Sequence, residues 1–265
     1  ISTNLTVGNK LSITSTGIVT ASSGVVTYFG DGSYLTGTGF QPDSQQNLYA
    51  GTNAGASSDA DTCFNIGIGY SAGASNCAGD HNVFIGSYTG CKITSSGYNV
   101  GIGFSALTCS SGNSNIAMGY HAGMKIQGGH SNVLLGSMAG CSITSGGENV
   151  MIGRFAGKFS TGGGGNFFGG YGAGCCNLTG THNVALGSRA LVMNGSGSKD
   201  SGFNIALGFN ALREIVSGGC NFAVGREADT QLYDGVDNIL IGRCANSCGT
   251  GQNRLILIGW KVKAC

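Results

Sequence analysis

The chain has 265 residues, of which 51 are Gly and one is Pro, with 9% charged residues and a formal net charge of +1. The missing Gly-X-Y period excludes collagen, and a hydrophobic fraction of 41% at low net charge excludes disorder. The near-neutral balance argues against nucleic acid or an anionic membrane surface as partner, and no apolar run reaches the ~18 residues of a membrane span.

No basic-then-apolar leader opens the chain, and a start at Ile1 without Met is expected of a processed or partial chain. Residues 1–46 stand outside any repeat and are expected to form a short, irregular β attachment segment. From residue 47 to 265 a five-residue phrase, Asn-apolar-x-apolar-Gly, returns thirteen times. Its closing glycines run from Gly51 and Gly69 to Gly242 and Gly259, mostly 17 residues apart, with single steps of 16, 18 and 21. Asn stands four residues before each of these glycines except at Leu255, and Ala three residues after each except at Thr89 and Val262. A register held this closely means stacked units that bury their apolar faces against their neighbours.

The repeat from Asn132 to Glu148 illustrates the expected coil. A strand covers 132–135, Gly136 makes a bend, a second short strand runs through Ala139 to Thr144, and Ser145-Gly146-Gly147 turns the chain. Seventeen residues are too few for a helix, a strand and their connections, and a 3.6-residue apolar period is absent. The expected fold is therefore all-β, a parallel β-solenoid or β-roll of about thirteen coils, each with two strands and two turns. Asn65, Asn82, Asn132 and Asn183 mark one corner, where Asn tolerates a left-handed backbone and can stack in a hydrogen-bonded ladder. Gly69, Gly86, Gly136 and Gly187 mark the other, where a missing Cβ meets the same demand.

Within the phrase, alternation suggests that the first and third apolar positions, such as Ile66 and Ile68, face the coil interior. The residue between them then faces outward, yet it is Phe84, Leu134, Met151, Phe168, Leu240 or Leu257, or a small residue such as Gly67, Gly101, Ala117, Ala185, Ala206 or Ala223. A strand apolar on both faces is buried on both. These middle residues are accordingly expected at inter-chain contacts, in a homotrimer around a common axis.

The phrases Asn65-Ile66-Gly67-Ile68-Gly69-Tyr70-Ser71-Ala72-Gly73 and Asn183-Val184-Ala185-Leu186-Gly187-Ser188-Arg189-Ala190 resemble the heads of trimeric autotransporter adhesins. They also resemble the β-helical shafts of bacteriophage tail fibres. The segments Gly17-Ile18-Val19-Thr20-Ala21 and Phe29-Gly30-Asp31-Gly32-Ser33-Tyr34-Leu35-Thr36-Gly37 look like those that precede such shafts. Adhesin heads use shorter repeats than 17, which favours the fibre. The resemblance implies a non-catalytic structural protein of a phage virion, a tail fibre or appendage that spaces or presents a host-receptor-binding element alongside other virion subunits. The alternative is a bacterial cell-surface adhesin or self-assembling extracellular filament of the same fold.

Eleven cysteines are many for a shaft. Equivalent positions of successive coils lie about 4.8 Å apart, within reach of a disulfide, which makes Cys248 with Cys265 and Cys91 with Cys109 geometric candidates. Buried thiols serving as small apolar fillers are the competing reading. Gly67 to Gly73 imitates a nucleotide-binding loop but recurs in every coil with no helix after it. His81 and His182 share a frame position six coils apart, too far for one metal site. The pairs Asp59 with Asp61 and Glu227 with Asp229 read as solvated turns. No catalytic group, cofactor or metal is therefore expected. Two features stand outside the core pattern. Residues Asn194 to Asp200 hold the extra residues of the 21-residue step, and rings or cations follow the Gly corner at Tyr70, Phe104, Tyr120, Arg154, Tyr171, Phe209, Arg226, Arg243 and Trp260. This row reads first as inter-chain packing, with a stripe for cell-surface glycans as the alternative.

Overall fold

A computed structural model describes residues 11–13, 19–21, 42–192, 202–247, 249 and 251–264. The chain divides into two compact units, residues 1–41 and 42–265. In the first, Leu11–Ile13 pairs antiparallel with Val19–Ala21, Leu11 opposite Ala21.

The second unit is a parallel β-solenoid. Thirteen three-residue strands, from Leu48–Ala50 to Ile256–Ile258, form one parallel sheet in sequence order, so about twelve turns of roughly 17 residues separate the first from the last. Each strand pairs in register with the next, as Val133, Leu134 and Leu135 do with Val150, Met151 and Ile152. The described residues contain no helix.

Most coils hold one strand rather than two; only in the last two does a second appear, Asn246–Ser247 pairing in parallel with Lys263–Ala264. In the repeat that starts at Asn132, where a second strand is expected from Ala139 to Thr144, the chain turns instead. The cause lies in recurrent left-handed residues: Met138 has φ of 57° and Gly140 of 54°, on either side of the buried Ala139. Such alternation bends the backbone at every step and leaves no extended run. Its amides bond instead to the coil that follows, Gly140 N to the Ala156 carbonyl at 2.9 Å and Met138 N to that of the coil before, Tyr120, at 2.8 Å. Gly136, with φ of 136°, lies so close to the next coil that a Cβ there would come within 2.6 Å of the Gly153 carbonyl oxygen.

The corner before the strand also differs from expectation. The left-handed residue is not Asn but the one preceding it: Phe64, His81 and Tyr98 have φ of 59°, 58° and 61°. Asn itself turns its amide inward. Asn65, Asn82, Asn132 and Asn183 are fully buried; the first three donate from their carboxamides to carbonyls of the neighbouring turn, and Asn183 Oδ1 accepts the backbone N–H of Asn204.

That inward Asn reverses the faces of the strand. A side-chain period of two places the residue two after Asn on the same side as Asn. Phe84, Leu134, Met151, Phe168, Leu240 and Leu257 therefore sit inside the coil, where all are buried within the single chain and cannot be the inter-chain contacts they were expected to be. The small middle residues Ala117, Ala185, Ala206 and Ala223 are inside with them. The core is completed by the Ala row, Ala72 to Ala245, and by Ile93, Ile126 and Ile143 from the far side of the coil.

Candidate functional site

The reversal leaves the first and third apolar positions on the outer face of the sheet. Ile116, Met118, Ile152, Phe167, Leu186 and Ile239 are exposed there, and Val83, Val100, Val133 and Leu135 are half-buried. Every first- and third-position residue of the thirteen strands is apolar; none carries a charge, hydroxyl or amide. Twelve strand spacings of about 4.8 Å make this a stripe roughly 58 Å long. Contiguous exposed apolar surface on that scale marks an interaction site, because leaving it in water costs about 25 cal/mol per Å².

The Asn ladder holds this face in register. Each Asn donates its Nδ2–H to the Oδ1 of the Asn one coil earlier, at 2.9 to 3.3 Å from Asn65 back to Asn47 through to Asn238 back to Asn221. The same Oδ1 also accepts the backbone N–H of the following Asn, as Asn132 Oδ1 does from Asn149 at 3.1 Å. The 21-residue step leaves the ladder intact, with Asn204 Nδ2 3.2 Å from Asn183 Oδ1. The inserted residues Asn194 to Asp200 themselves lie outside the described residues. At the end of the row Leu255 donates only its backbone N–H, 2.9 Å from Asn238 Oδ1.

Two further rows of rings line the corners. His81 stacks between Phe64 and Tyr98, at centroid distances of 4.9 and 5.0 Å, and His182 stacks on Phe203 at 4.9 Å. Both histidines thus belong to columns of aromatic side chains. After the Gly corner, Tyr70, Tyr88, Phe104, Tyr120 and His121 form a continuous run of ring contacts. Beyond it, Phe155 lies against Tyr171 at 5.8 Å, with the guanidinium of Arg154 and the ammonium of Lys158 at 4.5 and 4.9 Å from its ring.

Among the described residues the thiols are not paired. Cys91 and Cys109 are free, because the coil register sets Lys92 N on the Thr108 carbonyl and so puts Cys109 beside Lys92, one residue out of line with Cys91. Cys248 and Cys265 lie outside the described residues. The adjacent thiols of Cys175 and Cys176 are 3.6 Å apart. A hydrogen bond from the Cys175 thiol, helped by the Lys158 ammonium and opposed by partial burial, brings Cys176 down to about 7, and the same contact pushes Cys175 up.

Among the carboxylates, Asp59 caps its own turn, accepting from Asp61 N at 3.0 Å and from the Thr62 hydroxyl at 3.2 Å. Glu227 pairs with Arg226 at 3.3 Å. Asp229 is fully buried, and burial raises its carboxyl above the usual 3.8 despite hydrogen bonds from the Ser247 hydroxyl and the backbone of Ser247 and Gln231. This burial differs from the solvated turn expected for Glu227 and Asp229. The signal lay in the frame: Asp229 stands four residues after Gly225, where most coils carry an inward Gly or Leu.

Among the described residues, no group of three or more His, Cys, Asp or Glu is placed to hold a metal ion, and no helix is long and apolar enough to cross a membrane. No family model, curated protein or solved structure matches the chain.

Proposed function

We propose that this chain is a structural, non-catalytic segment of a fibre, in which three copies pack their outer sheet faces around an axis parallel to the solenoid. The observation that carries this reading is the double apolar row that faces outward along all thirteen strands. A cyclic arrangement about such an axis sets identical coils level with one another, so both rows are covered over their whole length by the same rows of neighbouring copies. Resemblance to trimeric adhesin heads and to tail-fibre shafts supports the number three and a place in a virion appendage that spaces or presents a receptor-binding element.

Sedimentation equilibrium or native mass measurement tests the assembly, with an expected mass three times the 26.6 kDa of the chain. A stable monomer at micromolar concentration would overturn it. Antibody labelling of purified virions then tests the location. Label on an appendage supports the fibre, and label confined to cell surfaces or free filaments supports the adhesin or filament reading.

A further inference from the structure

The repeat departs from its usual letters after the Gly corner over the four coils that begin at Gly153, Gly170, Gly187 and Gly208. A recess of about 460 Å³ opens there, lined by the rings of Phe155, Phe159 and Tyr171 and by the cations Lys158, Arg189 and Arg213. Its origin is visible in the frame. The position two residues after the corner Gly carries a side chain in every other coil, including Met138, Phe155 and Arg189, but Gly172 in this one. The missing side chain leaves a gap that the Arg189 stem borders, its Cγ 4.0 Å from where a Gly172 Cβ would be. Five residues after the corner, Lys158 and Arg213 are the charged members of a row that elsewhere holds Ala, Cys, Thr, Met, Val or Ser.

No carboxylate neutralises Lys158 or Arg189 among the described residues, although the Lys158 ammonium rests 4.9 and 4.7 Å from the ring centroids of Phe155 and Phe159. Arg213 touches Glu214 only at 4.0 Å, and the other oxygen of that carboxylate accepts from the Tyr233 hydroxyl at 3.3 Å. Two guanidinium forks and an ammonium converging on a concave surface suit a carboxylate, sulfate or phosphate, which Arg can grip through two parallel hydrogen bonds. The aromatic walls suit a ring whose C–H face is apolar and slightly positive toward the π cloud. A peptide strand finds no edge to extend. Phe159 N, Gly172 N, Cys176 N and Arg189 N all bond within the solenoid, to the carbonyls of Cys175, Arg154, Val192 and Tyr171. The cations are also too few and too clustered to track a nucleic-acid backbone.

We propose that this recess binds an acidic saccharide, one sugar ring packed against Tyr171 with its anionic group held by Lys158, Arg189 and Arg213. The site is built from a single chain and does not depend on the assembled rod. A monomeric chain that still binds sugar would leave the recess standing and remove the trimer.

Titration calorimetry on the full chain tests the proposal, with four probes: a galacturonate tetrasaccharide, a chondroitin sulfate tetrasaccharide, neutral maltotetraose and hexaglutamate. At least one acidic saccharide is expected to bind, and maltotetraose and hexaglutamate at least tenfold more weakly. The double variant Lys158→Ala with Arg189→Ala is expected to lose at least tenfold in affinity, Tyr171→Ala at least threefold, and Arg243→Ala, on the same side but outside the recess, less than twofold. Gly172→Met fills the gap and should abolish binding. Because Met138 occupies the same left-handed position with φ of 57°, the backbone accommodates Met there, and an unchanged circular dichroism spectrum verifies the fold. The proposal is overturned if neither acidic saccharide binds, if maltotetraose or hexaglutamate binds as well as they do, or if the recess variants leave affinity unchanged.

Discussion

Phe167 and Phe168 are consecutive in one strand and face opposite environments. Phe168 is fully buried inside the coil, whereas Phe167 keeps 37% of its surface exposed on the outer face. The pair separates folding from assembly. Phe168→Ala opens a cavity in the single-chain core and is expected to cost about 3–5 kcal/mol, read as a fall in the urea midpoint. Phe167→Glu should leave the circular dichroism spectrum intact and shift the sedimentation of the chain toward monomer, since it buries a charge only if copies meet. Equal unfolding by both substitutions would refute the assigned faces.

The period of the solenoid is legible in the sequence because every coil must present the same groups to the same neighbours. The spacing from Gly51 to Gly259 therefore gives the fold class and its parallel register. The facing of the strand is not legible from apolar alternation alone, since all three residues between Asn and Gly are apolar in nearly every coil. What decides it is Asn65 and its equivalents, whose amides are drawn inward to satisfy corner carbonyls such as that of Gly79, at 2.8 Å. The recess at Gly172 was hidden for a different reason. It is formed by side chains at four frame positions of four coils, and a single row read along the chain does not bring them together.

The Asn ladder should carry more stability in its middle than any surface contact. Asn132 Oδ1 accepts from the Nδ2 and backbone N of Asn149 at 3.0 and 3.1 Å, and Asn132 Nδ2 donates to the Gly146 carbonyl and Asn115 Oδ1, each at 3.0 Å. Asn132→Ala strands several buried polar groups at once, each worth about 1–3 kcal/mol when left unsatisfied. The expected loss is at least about 3 kcal/mol by urea denaturation. A loss below about 1 kcal/mol would mean that water or relaxation replaces the ladder.

Asp229 gives the C-terminal coils a pH dependence of definite sign. Its folded pKa is raised by burial above the usual 3.8, so the folded state favours the protonated form. The stability it contributes is complete below about pH 4 and is lost as pH rises through the raised value. Asp229→Asn imitates the protonated carboxyl. It is expected to raise the melting midpoint near pH 7 relative to the unsubstituted chain, with the two curves converging below pH 4. A lower midpoint at neutral pH would show that the hydrogen bonds from Ser247 outweigh the cost of burying the charge.

Cys176 should be the thiol that reacts first at neutral pH. The thiolate is the nucleophile, and a group held at about 7 is half ionised at that pH, whereas an ordinary thiol at 9.0 is about 1% ionised. The main cause is the hydrogen bond from Cys175, 3.6 Å away, and Lys158 adds a smaller electrostatic contribution. Iodoacetamide labelling followed by peptide mapping should therefore place the first adduct on Cys176, with a rate that rises through pH 7. Cys175→Ala removes the donor and is expected to move that midpoint up by more than Lys158→Gln does. If the midpoint stays near 7 in Cys175→Ala, the thiol pair is not what holds the thiolate, and the cation beside it must be the dominant influence.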